Sequence, residues 1–290
     1  MRTSPYVIVP AYESRKNVCE TCFKYAGSGQ PVSCPICNAA WFCSNHCLRE
    51  GHPKRECKVL KRIASSRPAL DSVATVARLV LRMLYCRQNE QSHQEHTFKG
   101  SELRFDHVLL LQSGLDIFPP MKMELMNKFR TMMRVADPAV TKHYSDDDLM
   151  SILGIKETNS FGLWRLALKR GESTQCFAHG MYPLASFFNH SCVPNICRAD
   201  RHTADSFGVD IAFQALRNIR SGEELTHAYI LTNFPTGKRQ FELLFHYHFK
   251  CACDRCRDDC GGEDEFTRTY VCPKCRILRY PDAEGCPWFP

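Results

Sequence analysis

The segment Ser186–Asn195, which reads S-F-F-N-H-S-C-V-P-N, is the most informative stretch of this 290-residue sequence. Four consecutive residues at its centre bring together an amide, an imidazole, a hydroxyl and a thiol. The proline at position 194 is incompatible with a helix interior. Taken alone, such a segment is a compact polar turn, because short polar side chains bond readily to nearby backbone groups. The same groups are also suited to a binding site. The surrounding sequence is needed to choose between a polar turn and a binding site.

Two downstream segments have equally unusual patterns. Residues 219–229 read I-R-S-G-E-E-L-T-H-A-Y and predict a turn followed by a short strand that ends in a tyrosine. The segment Cys251–Cys256 then has the pattern C-x-C-x-x-C. Three cysteines are one ligand short of a tetrahedral zinc site. Cys192 is the natural fourth ligand, because it lies in the other special turn.

The 18 cysteines of the chain are strongly clustered. Seven lie between Cys19 and Cys57, and seven more lie between Cys251 and Cys286. A disulfide scaffold would link the chain throughout, so the clustering favours thiolate zinc sites in a reducing compartment. We predict that the isolated cysteines are small core residues. These are Cys86, Cys176 and Cys197.

The first cluster contains eight potential ligands, which is enough for two zinc ions. Gaps of two or three residues within the cysteine pairs suit a tetrahedral ion. In chain order the ligands are Cys19, Cys22, Cys34, Cys37, Cys43, Cys47, His52 and Cys57. His46 is an alternative to His52, although its place between Cys43 and Cys47 is geometrically poor. The region has so few large aliphatic side chains that it would hardly fold without metal.

The positive charge of the chain is confined to its N-terminal quarter. The net charge is +7, and residues 1–70 contain 11 Lys/Arg against four Asp/Glu. Such a region favours an acidic partner, either nucleic acid or an acidic protein surface. The alternative is that the basic run from Lys54 to Arg62 only solvates one helix face. No secretory signal and no run of 18 apolar residues occurs, so we expect no membrane span.

The middle of the chain shows helical rather than strand periodicity. Apolar residues recur three or four positions apart at Val73, Val76, Val80 and Leu84, and again at Met121, Leu125, Phe129 and Met133. This spacing predicts helices that pack on one another within residues 58–135. The polar segment Gln88–Gly100 lacks periodicity and predicts a surface loop.

The motifs N-H-S-C-x-P-N and G-E-E-L-x-x-x-Y, with the cysteine triad behind them, resemble a SET domain. The eight upstream ligands resemble a MYND zinc finger. The chain is identified as a member of the SET and MYND domain-containing (SMYD) family of protein lysine methyltransferases, over roughly residues 1–260. The resemblance implies an α+β fold, in which a β-rich SET domain has an inserted MYND zinc finger, a helical insert and a post-SET zinc site. The implied segments are a remnant of the N-terminal SET segment (1–18), the finger (19–57), the helical insert (58–155), the SET core (156–231), the post-SET segment (232–256) and a cysteine-containing tail (257–290).

The resemblance also implies roles for individual residues. The cofactor S-adenosylmethionine would contact Asn189, His190, Ser186, Phe249 and Tyr229. Tyr229 would be the catalytic tyrosine, and Tyr247 and Phe161 would line the channel for the substrate lysine. Three zinc ions would be held, the first by Cys19, Cys22, Cys43 and Cys47, the second by Cys34, Cys37, His52 and Cys57, and the third by Cys192, Cys251, Cys253 and Cys256.

The expected function is therefore S-adenosylmethionine-dependent N-methylation of lysine in a histone or non-histone protein. We expect a monomer in the nucleus and cytoplasm. The alternative is a catalytically inactive adaptor that binds proline-rich peptides through its finger. Two features motivate it, since no glycine precedes Gly27 to form the Gly-x-Gly cofactor turn of the family, and the tetratricopeptide-like C-terminal domain of many relatives is missing. On the methyltransferase hypothesis, these two features would instead indicate a shortened isoform of the enzyme.

Two smaller hypotheses concern the ends of the sequence. Nucleic-acid binding by the basic first 70 residues is the weaker third function, and it predicts an affinity that falls steeply with added salt. The remaining cysteines of the tail would form a fourth zinc site or a fragment of a cysteine-rich module. These are Cys260, Cys272, Cys275 and Cys286.

Overall fold

The computed structural model describes residues 1–25, 31–66, 68–92, 103–114, 123–165, 174–199, 209–257, 270–271 and 278–279. The chain divides into two compact units. The first unit comprises Met1–Phe187 and Arg198–Phe213, and the second comprises Phe188–Cys197 and Gln214–Pro290. Their mixed helix and sheet content confirms the predicted α+β class.

The described helices and strands are short, with one exception. The helices are α1 (Asn45–Glu50), α2 (Lys54–Ala64), α3 (Asp71–Gln91), α4 (Phe105–Leu109), α5 (Met123–Ala136), α6 (Val140–His143), α7 (Asp146–Asn159), α8 (Pro183–Ser186), α9 (Thr236–Tyr247) and α10 (Asp254–Arg257), and a 3-10 turn spans Pro68–Leu70. The strands are β1 (Arg2–Thr3), β2 (Val7–Pro10), β3 (Val32–Ser33), β4 (Trp41–Phe42), β5 (Ser160–Arg165), β6 (Gln175–Met181), β7 (Asn189–His190), β8 (Ile196–Arg198), β9 (Ile211–Ala215), β10 (Thr226–His227), β11 (Tyr270–Val271) and β12 (Leu278–Arg279).

The 21-residue helix α3 is the centre of the first unit. Its apolar stripe is buried at Val73, Val80 and Leu84, and α5 and α7 pack against it. Phe129 and Met133 on α5 are also fully buried. The predicted helix–helix core is thus confirmed, and it is built from the side chains that the 3.6-residue period places on one face.

The C-terminal end of α3 differs from the sequence prediction. We predicted a loop from Gln88, but the helix continues through Gln91. The Glu90 carboxylate accepts hydrogen bonds from the Tyr6 hydroxyl at 3.0 Å and from the Phe105 backbone N–H at 3.0 Å. These long-range partners hold a polar helix end whose sequence has no apolar periodicity. Residues 93–100 lie outside the described part of the chain.

A three-stranded antiparallel sheet with the order β2-β6-β5 completes the first unit. All four residues of β2 are buried. Gly180 on β6 lies opposite Ile8 and Phe161, and a Cβ atom there would come within 2.7 Å of the Tyr182 ring. Glycine at this strand position therefore leaves room for the Tyr182 ring, which precedes α8 and Ser186. In the same unit, β1 pairs antiparallel with β9.

The second unit is organised by a parallel pairing of β7 with β10, in which Asn189 lies opposite Thr226 and His190 opposite His227. The segment that alone reads as a polar turn thus contains a two-residue strand. Gly222 forms the predicted turn before β10 with a φ of 80°. Helix α9 ends at Tyr247, because His248 adopts a left-handed conformation with a φ of 63°.

Candidate active site and zinc-binding clusters

The structure brings the eight finger ligands together in two groups of four. In each group the ligand atoms lie within 4.8 Å of one another. The groups are Cys19, Cys22, Cys43 and Cys47, and Cys34, Cys37, His52 and Cys57. His52, rather than His46, belongs to the second group, and its Nε2 atom lies 3.9 Å from the Cys37 Sγ.

The spacing of the sulfur atoms fits zinc rather than disulfides. The Sγ atoms of Cys43 and Cys47 are 3.6 Å apart, and those of Cys34 and Cys57 are 3.9 Å apart. A tetrahedron with Zn–S bonds of about 2.3 Å has edges of about 3.8 Å, whereas a disulfide bond is only about 2.05 Å long. The donor sets are therefore capable of holding zinc.

Local backbone geometry explains how the finger presents its ligands. Phe23 and Asn38 each follow a Cys-x-x-Cys pair and adopt positive φ values of 59° and 51°. Their backbone N–H groups donate to the carbonyl oxygens of Cys19 and Cys34, both at 2.9 Å. Each pair is thus folded into a tight turn that directs its two sulfur atoms to one side.

The third cluster lies wholly in the second unit and joins two distant segments. It contains Cys192, Cys251, Cys253 and Cys256, whose Sγ atoms lie within 4.8 Å of one another. The Sγ atoms of Cys192 and Cys256 are 3.6 Å apart. The Gln240 amide of α9 accepts from the backbone N–H of Cys251 at 2.9 Å and donates to its carbonyl oxygen at 2.8 Å. Helix α9 thereby holds the backbone of Cys251, the first cysteine of the triad.

Tyr229 is enclosed by aromatic side chains next to this cluster. Its hydroxyl donates to the Phe188 carbonyl oxygen at 2.7 Å, and its own carbonyl oxygen accepts from the Tyr247 hydroxyl at 3.2 Å. The ring centroids that surround it are those of His227 and Tyr247 at 4.9 Å, His190 at 5.3 Å and Phe249 at 6.3 Å. Burial, and then the nearby Tyr247 and Glu224, raise the pKa of Tyr229 to about 12. The phenol is therefore a neutral hydrogen-bond donor at physiological pH.

His190 is a neutral imidazole in the same group. Burial, and then the charges of His227 and Arg239, lower the pKa of His190 to about 4. Its Nδ1 atom accepts a hydrogen bond from the backbone N–H of Tyr229 at 3.0 Å. The first motif is thus bonded directly to the tyrosine of the second.

The two asparagines of the first motif have different environments. Asn189 is exposed, and its amide donates to the Glu224 carboxylate at 2.7 Å. Asn195 is only 3% exposed. It donates to Glu223 Oε1 at 2.9 Å and to the Glu224 carbonyl oxygen at 2.8 Å, and it accepts from the Thr226 N–H at 2.9 Å. Sequence reasoning gave Asn195 no role, although its place at the end of the motif was a usable signal.

Two of the predicted site residues, Ser186 and Phe161, belong to the first unit. The Ser186 hydroxyl lies within hydrogen-bonding distance of the carbonyl oxygens of Asn159 at 3.2 Å and Tyr182 at 3.1 Å. The Phe161 ring packs edge-on against Tyr182 at 5.7 Å. The remaining predicted cofactor and channel residues are together in the second unit. They are Asn189, His190, Tyr229, Tyr247 and Phe249.

The residues in the second unit suit a nucleoside-bearing sulfonium such as S-adenosylmethionine. The exposed side chain of Asn189 offers polar contacts, and the half-buried rings of Phe249 and Tyr229 offer aromatic faces. Aromatic faces attract cations, including methylated ones. The donor set therefore fits the cofactor that the resemblance implies.

The basic run on α2 is exposed, and two of its members are engaged within the first unit. Arg55 forms an ion pair with Asp137 at 3.2 Å, and Arg62 donates to the Ala136 carbonyl oxygen at 3.3 Å. Lys54, Lys58 and Lys61 are exposed on the same helix. The two arginines thus have partners within the unit, while the exposed lysines are compatible with either a solvated face or an acidic partner.

The other cysteines show mixed outcomes. Cys86 is a buried core residue, whereas Cys176 and Cys197 are only partly buried. The four cysteines of the tail, Cys260, Cys272, Cys275 and Cys286, lie outside the described residues. Within the described part of the chain, none of the helices combines the length and apolarity that a membrane crossing needs.

Comparison with known proteins agrees with this geometry. The family model for the SET domain matches residues 79–230. The histone-lysine N-methyltransferase ASHR2 of Arabidopsis thaliana is 29% identical over 91% of this chain and 68% of its own length. A SET and MYND domain-containing protein of Dictyostelium discoideum is 24% identical over 97% of this chain and 82% of its own length. Human histone-lysine N-methyltransferase SMYD3 is 28% identical over 92% of this chain, which spans only 58% of that protein.

The SET match covers more than half of the chain and includes both motifs that surround Tyr229. The zinc-capable clusters account for the segments on either side of it, with the finger before residue 79 and the cysteine triad after residue 230. The chain belongs to the SET domain family and, by its relatives and its cysteine clusters, to the SET and MYND domain-containing group within it.

Proposed function

We propose that this chain is an S-adenosylmethionine-dependent protein-lysine N-methyltransferase. The observation that carries the proposal is the enclosure of the Tyr229 phenol by aromatic rings, beside a strand pair formed from the two SET motifs. The names of ASHR2 and SMYD3 describe histone-lysine methylation by those proteins, and they support the same reaction here.

Methyl transfer to lysine depends on alignment more than on a strong acid or base. The cofactor, when bound, supplies a methyl group on a sulfonium sulfur. The attacking amine and the methyl carbon must be in line at about 3–3.5 Å. We propose that Asn189, Phe249 and the backbone of His190, which all belong to the second unit, hold the cofactor. Zinc at the third cluster is structural and fixes the segments that contain these residues.

The aromatic groups would prepare the substrate lysine. Burial between rings lowers the pKa of a lysine ammonium, because desolvation disfavours the charged form. The neutral amine is the nucleophile. The Tyr229 hydroxyl, a neutral donor and acceptor, orients the amine, while Tyr247 lines its channel. The product cation is tolerated by the aromatic faces.

The test is transfer of a labelled methyl group from S-adenosylmethionine to histone and non-histone proteins. Tyr229→Phe keeps the ring and removes the hydroxyl, and we expect activity to fall about 100-fold, as for loss of one active-site donor. Tyr12→Phe, in the first unit, is the matched control and should retain activity. Equal activity of Tyr229→Phe and the unchanged protein, or no calorimetric heat with S-adenosylmethionine, would overturn the proposal.

The adaptor alternative is not favoured, because relatives that match most of the chain have names that describe methyltransferases. A finger that docks a proline-rich peptide is compatible with the enzyme, and Ile36, 71% exposed between two ligand cysteines, is the side chain we propose for that contact. We further propose that the enzyme is a monomer. It would act on histones in the nucleus and on other proteins in the cytoplasm. Chromatin fractionation and size-exclusion chromatography test these two points.

A further inference from the structure

Both ring nitrogens of His190 are engaged inside the second unit. Nδ1 lies 3.0 Å from the backbone nitrogen of Tyr229, and Nε2 lies 3.4 Å from the Cys192 Sγ. A backbone N–H can only donate, so Nδ1 must be the unprotonated acceptor. In a neutral imidazole the proton then resides on Nε2. Nε2 is therefore the donor to the Cys192 sulfur, and a zinc-bound thiolate is a charged acceptor for such a bond.

Neighbouring contacts fix the ring in this orientation. The strand register places His190 opposite His227, and the backbone N–H of Ser191 donates to the His227 carbonyl oxygen at 3.2 Å. The His190 ring meets the Tyr229 ring at an angle of 61°. With both nitrogens committed, the imidazole has no polar atom left for a cofactor. Any contact of His190 with the cofactor is therefore made by its backbone.

We propose that His190 is a positioning residue that couples the third zinc site to Tyr229. The Cys192 thiolate selects the tautomer and orientation of the ring, and the ring in turn holds the backbone of Tyr229. Loss of metal at this cluster would release the imidazole and then the tyrosine, even though the metal is remote from the reacting atoms. The importance of this coupling for methyl transfer rests on the proposed function, but the coupling itself does not.

The first test observes the tautomer in the full, zinc-loaded chain. Nitrogen-15 NMR of the imidazole side chains should show His190 as a neutral ring protonated on Nε2, and His190→Gln assigns the signal by its disappearance. A ring protonated on Nδ1, or on both nitrogens, at neutral pH would overturn the proposal.

The second test measures exchange of the Tyr229 amide hydrogen. In samples of full zinc content, His190→Phe should raise its exchange rate by about tenfold, because one hydrogen bond is lost. His190→Gln, which retains an amide near both partners, should restore part of the protection. His246→Phe, on the exposed side of α9, is the matched control and should change nothing. Unchanged protection in a folded His190→Phe protein would refute the coupling.

The two proposals fail in distinguishable ways. A chain that shows the Nε2 tautomer and the expected exchange, yet transfers no methyl group, contradicts the proposed function and leaves the coupling intact. A chain that methylates lysine but shows no change at the Tyr229 amide contradicts only the coupling.

Discussion

Replacing Arg82 with methionine should lower the free energy of unfolding by about 3–5 kcal/mol, the usual consequence of breaking a buried ion pair. Arg82 belongs to a cluster of four charged side chains in the first unit that are 6–7% exposed. The others are Glu20, Glu56 and Arg78. Arg82 binds both carboxylates and also donates to the Ile8 carbonyl oxygen of β2. The variant leaves a net negative charge buried among apolar side chains.

The geometry supports a loss of this size. The Arg82 Nη2 atom lies 3.1 Å from Glu20 Oε1, and its Nε atom lies 2.9 Å from Glu56 Oε1. At an effective dielectric constant of about 20, a pair at 3.1 Å is worth about 5 kcal/mol. Removal of the guanidinium abolishes this attraction, while the two carboxylates stay buried and unsolvated. Arg78, 3.7 Å from Glu56, compensates only part of the deficit.

Urea unfolding monitored by circular dichroism, with zinc in excess, measures the change. Lys128→Met, which breaks a helical pair between the half-buried Lys128 and the exposed Glu124, is the control and should have no measurable effect. The double variant Glu56→Leu/Arg82→Met removes one charge of each sign and should be less destabilised than the sum of the two single variants. A loss below about 1 kcal/mol for Arg82→Met, or strict additivity in the double variant, would refute the reasoning, since a buried pair broken on one side is expected to cost more than this and to couple.

Three further predictions concern the second unit. Asn195→Ala should destabilise the protein by about 2–4 kcal/mol, because it removes a buried amide with three hydrogen bonds; thermal unfolding measures this, and an unchanged melting temperature would contradict it. The pH profile of methyl transfer should show no loss from ionisation of Tyr229 below about pH 10, because the folded pKa of about 12 keeps the phenol protonated; a tyrosinate at pH 9 in an absorbance titration, absent in Tyr229→Phe, would contradict it. Cys192→Ser should lower the zinc content from three ions to two by mass spectrometry, and retention of three would exclude Cys192 as a ligand.

Local pattern was enough to locate the helical core and the site segments. The stripe of Val73, Val80 and Leu84 identified α3, because burial of one helix face leaves a 3.6-residue period in the sequence. The two motifs likewise led to Tyr229 and Cys192. The roles of the site residues remain predictions for the experiments above.

Contacts between distant residues could not be predicted in the same way. Glu20 and Arg78 are 58 positions apart, and neither has a local pattern that names its partner. The extension of α3 to Gln91 has the same cause, because Glu90 is held by Tyr6 and Phe105 rather than by its neighbours in the sequence. Such pairings depend on tertiary structure, which overrides local propensity.

The two-segment composition of the third zinc cluster has a consequence for the order in which the protein matures. The ligands of the finger are complete once residue 57 has been synthesised, whereas the third cluster needs Cys256 as well as Cys192. A metal that links Cys192 to Cys251 closes a loop of about 60 residues. If it acts like a disulfide, the lost conformational entropy would raise the free energy of the unfolded chain by about 4 kcal/mol. During translation, Tyr229 is made 27 residues before Cys256, the last ligand of this cluster. A zinc ion could therefore link the Cys192 segment to the full cysteine triad only after Cys256 has been synthesised.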